Sequence, residues 1–161
     1  MPLKGPWKRV IKKLNNFQKD LEKELQQTLA QAAEEVESVA VGHLRNQDLG
    51  WKPLTKAYED RKRRVKGKGS RALSEKILIA TATYFQSITS YIEGFNAFIG
   101  VKRGVAREKD GSDIVDIANI HESKDKRTKI PRRPLWEPTF EETKPEVIKM
   151  FKKTLHEVTN R

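Results

Sequence analysis

Histidine is the one side chain whose ordinary pKa lies near neutrality, and this chain has three: His43, His121 and His156. His121-Glu122 follows Asp113 and Asp116, a grouping that sketches a metal site. No histidine has a second histidine or a carboxylate at a ligand spacing that repeats elsewhere. Structural or surface roles are therefore expected for all three. Cysteine is absent, which excludes disulfides, thiolate metal sites, iron–sulfur clusters and a cysteine nucleophile. Gly67-Lys68-Gly69-Ser70 lacks the GxxxxGK[ST] spacing that cradles phosphate, and no GxSxG elbow is present. Without an acid, base, nucleophile or metal constellation, the expectation is a protein that is not an enzyme and carries no cofactor.

What the residues do offer is positive charge. Lys and Arg number 33 against 22 Asp and Glu, a net +11. Residues 52–71 hold a net +7 and residues 124–136 a net +5, so these two segments carry the whole excess. The first includes Arg61, Arg63, Arg64, Lys66, Lys68 and Arg71. The second includes Arg127 and Lys129, then Arg132 and Arg133 held between Pro131 and Pro134. Such runs suit phosphates or an acidic protein surface. Neither is interleaved with aromatics for base stacking, and no helix-turn-helix pattern or zinc ligand set accompanies them.

The elements that must position these residues follow from periodicity. The 161 residues suit a single domain. Residues 1–9, with two prolines and a glycine, read as an irregular arm, and residues 10–161 as one α+β domain. Val10, Leu14, Phe17, Leu21, Leu25, Ala32, Ala33, Val36 and Val39-Ala40 recur at helical spacing and predict a long helix over about 10–41. A new helix is expected to begin near Trp51-Lys52-Pro53-Leu54, with Pro53 in its first turn and Leu54, Ala57 and Tyr58 as a small apolar face, before it dissolves into a basic loop at 61–71. A helical stretch follows over roughly 80–87.

Ile88–Val101 is rich in β-branched and aromatic residues, with Gly94 and Gly100 as punctuation. It predicts a hairpin turning near Glu93–Asn96. Residues 113–121 form a short helix. The second basic loop, 124–133, starts a third strand, which makes a small antiparallel sheet of about three strands. A terminal helix over roughly 137–158 carries the stripe Phe140, Val147, Ile148, Phe151, Leu155 and Val158, with Thr139 and Glu142 as a capping box. No run of 18 apolar residues and no signal-peptide core is present, so membrane contact is not expected.

One series of motifs is similar to a known family. Trp51-Lys-Pro-Leu-Thr55 is followed by a basic tract and then by Leu78-Ile79-Ala-Thr81-Ala-Thr-Tyr84-Phe-Gln-Ser87-Ile88. Next come Ile99-Gly100-Val101, Ile117-Ala-Asn-Ile-His121-Glu122-Ser123, and Ile130-Pro-Arg-Arg-Pro-Leu-Trp136. In order and spacing, residues 51–150 resemble the tail-completion and virion-morphogenesis proteins of tailed bacteriophages. Ala82 stands where that family carries glycine, Ser123 replaces the glycine after the histidine, and Leu135-Trp136 replaces Phe-Leu.

The resemblance implies a structural protein of the virion neck, assembled in the bacterial host cytoplasm as a ring of about six copies closed by a heterologous contact. It implies a head-completion or connector protein on one side and a tail terminator or tail-tube protein on the other, with DNA in the channel as a further contact. Trp51, Pro53, Leu54, Arg132, Arg133, Pro134 and Trp136 are then the expected subunit interface. The competing expectation is a non-specific nucleic-acid-binding protein that uses the two basic loops.

Overall fold

The computed structural model describes residues 6–64, 76–79, 82–106, 111–123 and 130–160. Helix α1 runs Trp7–Asn46, longer at both ends than its stripe predicts. Nothing after Pro6 breaks it. Gly42 costs a helix interior only about 1 kcal/mol, and the helix passes through it. It stops at Gln47, which sits at φ 60 with its N–H on the His43 carbonyl. The Gln47 side chain then ties the next segment down, accepting from Ile77 N (2.8 Å) and donating to Ile77 O (3.2 Å).

Helix α2 is Lys56–Arg64, and its last turn corrects the expected loop over 61–64; residues 65–71 of that loop lie outside the described residues. Lys and Arg are good helix formers, so the basic run itself propagates the turn, and Arg61, Arg63 and Arg64 lie on a helix. Lys66, Lys68, Arg71, Arg127 and Lys129 lie outside the described residues. Pro53 stands before α2 and not in its first turn.

Helix α3, Thr83–Gln86, is entered through Ala82 at φ 64. Alanine thus occupies a left-handed position that glycine would take without steric cost. Strands β1 (Ile88–Glu93) and β2 (Asn96–Val101) pair antiparallel, from Ile88 opposite Val101 to Glu93 opposite Asn96. The two-residue turn Gly94-Phe95 has Gly94 at φ 60, the sign that matches the twist of the strands. The hairpin is as expected. Among the described residues the sheet has two strands; the expected third strand, at the start of residues 124–133, lies outside the described residues, and residues 131–134 are irregular.

Helix α4 is Ile114–Glu122, with the Asp113 side chain accepting from Val115 N at its start. That bond, and a second from Gly104 N (3.0 Å), hold the Asp113 carboxyl below its usual pKa. Helix α5 is Trp136–Thr159 and continues through Pro145. Thr139 does not cap it. Its hydroxyl donates instead to the Leu135 carbonyl within the helix (2.6 Å).

Helices α1 and α5 run antiparallel. Thr28 meets Thr154 through their hydroxyls (2.6 Å), and His43 Nε2 lies 3.3 Å from the Glu142 carboxylate. The buried positions are small or polar: Thr28, Ala32, Ala33, Val36 and Ala40 on α1, and Thr139, Thr143 and Val158 on α5. Small side chains let the helix axes approach. The larger apolar side chains gather at one end, where Leu44, Trp51, Tyr84, Ile88, Ile114, Ala118 and Leu135 form the core. Much of the expected α5 stripe stays outside it, with Phe140, Ile148 and Leu155 exposed. No helix among the described residues is long and apolar enough to cross a membrane.

Candidate functional site

Three separated segments converge beside the core. The Trp51 indole donates to the Pro134 carbonyl (2.9 Å), and Arg133 Nη2 donates to the Lys52 carbonyl (3.2 Å). The Arg133 backbone N–H donates to the His121 carbonyl (2.8 Å). Glu122 Oε1 accepts from the N–H groups of Leu135 (2.6 Å) and Trp136 (3.1 Å). A carboxylate from α4 thus caps the N-terminus of α5, where unsatisfied N–H groups and the helix dipole favour negative charge. Arg132 closes the arrangement. Its Nε donates to the Glu122 carbonyl (3.0 Å) and its Nη2 pairs with Glu137.

The expected interface residues are therefore neighbours, but they face different ways. Trp51 and Arg133 are buried, Leu54, Arg132, Pro134 and Trp136 are half-buried, and Pro53 is exposed. Trp136 lies against the Phe140 ring, centroids 6.2 Å apart. Arg61 and Arg63 are exposed on α2.

Between the Trp51 loop, α2, α4 and residues 130–133 lies a cavity of about 600 Å³. Exposed Pro53, Thr55, Tyr58 and Ile130 form its rim, and Leu54, Leu78, Ile114, Ile117 and Ile120 give it apolar walls. Buried Tyr84, His121 and Arg133 form its floor. Lys62, also buried, donates to the Lys76 carbonyl (2.9 Å). Burial, then the charge of Arg133, lower the His121 pKa to about 4, so the ring is neutral at pH 7. Burial, then the charge of Glu122, raise the Tyr84 pKa and keep its hydroxyl protonated.

The sketched metal site is not assembled. Asp113 and His121 stand at opposite ends of α4, about 12 Å apart along its axis, and Glu122 is engaged at α5. Among the described residues no group of three or more His, Asp or Glu lies close enough to hold a metal ion. Tyr84, Lys62 and the capping role of Glu122 were not marked out by sequence pattern. Each depends on contacts between distant segments, and only the Tyr84 position within the 78–88 motif hinted at one of them. No family model, curated protein or solved structure matches the chain.

Proposed function

We propose that this protein is a structural component of a tailed-phage neck, building a homo-oligomeric ring that completes the tail or joins it to the head. The observation that carries the self-assembling part is the first half of α1. Every residue from Pro6 to Asp20 is exposed, yet Trp7, Val10, Ile11, Leu14 and Phe17 recur there at helical spacing. An isolated helical segment of about 15 residues is marginal in water. Such a stripe exists to be covered. The neck assignment itself rests on the motif series from Trp51 to Trp136.

Mass photometry of the purified protein tests the ring: discrete closed oligomers are expected. Complementation of neck-deficient phage extract with the protein tests the assignment, with joined heads and tails as the expected product. A monomer that binds DNA of any sequence, with affinity falling steeply with salt, would overturn both in favour of nucleic-acid binding.

A further inference from the structure

The floor of the 600 Å³ cavity carries polar atoms that the junction's own bonds leave over. Tyr84, His121 and Arg133 are each more than nine-tenths buried. Each keeps one buried atom without a hydrogen-bond partner: Tyr84 Oη, His121 Nδ1 and Arg133 Nε. Buried polar atoms are normally satisfied, so three unsatisfied ones on residues that line one cavity point to a ligand that supplies their partners. Arg133 Nε and the Tyr84 hydroxyl are donors. His121 is neutral and hydrogen-bonded to the Pro131 backbone, so its free Nδ1 is an acceptor. A guanidinium N–H and a phenol O–H suit a carboxylate, and the acceptor suits an N–H. Lys52, Lys62 and Arg133 line the cavity, and among the described residues no Asp or Glu does. The fitting ligand is a carboxylate next to a peptide N–H on an apolar body.

The tip of the β1–β2 hairpin has that chemistry. Residues 91–98 read Tyr-Ile-Glu-Gly-Phe-Asn-Ala-Phe, and Glu93 is their only charge. Tyr91, Ile92, Phe95 and Phe98 are exposed, Phe95 at 55%. The Tyr91 and Phe98 rings stack at 4.8 Å, which stiffens the tip. The hairpin cannot serve its own cavity. Ile88 roots it in the core beside Tyr84, and six strand residues carry the tip about 20 Å away.

We propose that the hairpin tip of one copy docks in the cavity of the next, with Phe95 among the isoleucines and Glu93 against Arg133 and Tyr84. The contact joins two different patches, so it repeats head to tail and closes when the rotation permits. It deepens the ring reading and rests on that reading for closure alone.

The absence of native cysteine allows a clean test in the full chain. Asn96→Cys and Thr55→Cys proteins, which keep Phe95 and Glu93, mixed one to one with a short bis-maleimide, are expected to give covalent dimers at least tenfold above a Ser38→Cys and Thr55→Cys control. Both substitutions lie on exposed residues, so folding is retained. The double variant Glu93→Gln with Phe95→Ala is expected to self-associate at least tenfold more weakly in mass photometry. Cross-linking no better than the control, or a double variant that assembles like wild type, would overturn the contact. Closed rings seen alongside that failure leave the ring reading standing. Specific cross-links without closed rings leave the contact standing and remove the ring.

Discussion

From Thr28 to Leu44, α1 buries one face against α5 and the core; from Pro6 to Asp20, the same helix leaves every residue exposed. The covered half holds mostly Ala, Val and Thr on its buried face, with Leu44 at 0% exposure. The uncovered half holds the bulk: Trp7 is 55% exposed and Leu14 61%. Within one chain, tight packing selected small residues, and the large apolar ones were left facing out. A side chain's size therefore does not say whether this molecule buries it. A partner helix at the right level does, and α5 ends at Thr159, about one turn past Thr154, which meets Thr28.

The largest expected effect lies in the covered half. Leu44→Ala removes a fully buried side chain from the core and should cost about 2–5 kcal/mol. Urea denaturation would read it as a lowered midpoint with little change in slope. A cost below about 1 kcal/mol would mean the covered half is no better packed than the exposed one.

The next effect belongs to the junction that holds the covered half in place. His121 has a folded pKa of about 4, against about 6.5 in an unfolded chain. The unfolded state binds the extra proton between those values, so stability rises with pH across that window. The contribution is complete above pH 6.5 and is lost as pH falls toward 4. Its size is on the order of 1–3 kcal/mol, below the full linkage value because the ring is not wholly desolvated. Arg133 and the Pro131 backbone act on the ring. His121→Asn should flatten this part of the stability profile. An unchanged slope between pH 4 and 6.5 would contradict the burial of a neutral ring.

Ala82 offers a smaller effect of opposite sign. At φ 64 an alanine is strained by roughly 1–2 kcal/mol, and glycine relieves it while loosening the unfolded chain. Ala82→Gly should therefore raise stability by about 0.5–1 kcal/mol, read as a higher Tm.

These residues also mark what sequence could reveal. The hairpin was legible because β-branched and aromatic residues between glycines leave few other readings. The existence of α1 was legible from its period, but not its division into covered and uncovered halves, because the period names a face and never its partner. A helix after Trp51 was legible from Pro53 and the apolar positions that follow it, but the run of α2 through Arg61–Arg64 was hidden, because those residues lead into a glycine-containing basic stretch that outweighs the helix propensity of Arg and Lys. Trp51, Pro53, Leu54, Arg132–Pro134 and Trp136 were grouped as one surface, and the fold does bring them together. Its placement of Trp51 and Arg133 inside could not be seen, since it depends on hydrogen bonds spanning 83 and 81 positions. The Glu122 cap was illegible for the same reason.

The smallest effect on stability should accompany a loss of assembly. Leu14→Gln with Phe17→Gln alters two exposed positions of the uncovered half. An isolated chain loses no packed contact there, so its denaturation midpoint should move by less than about 0.5 kcal/mol. Glutamine is also a good helix former, so the helix itself is preserved. If the stripe is a subunit seam, the double variant should stay folded by circular dichroism yet fall to lower oligomers in mass photometry. A variant that keeps full assembly would make the stripe an ordinary solvated face. A variant that loses as much stability as Leu44→Ala would mean the first half of α1 folds back onto its own chain. Either outcome would erase the difference between the two halves.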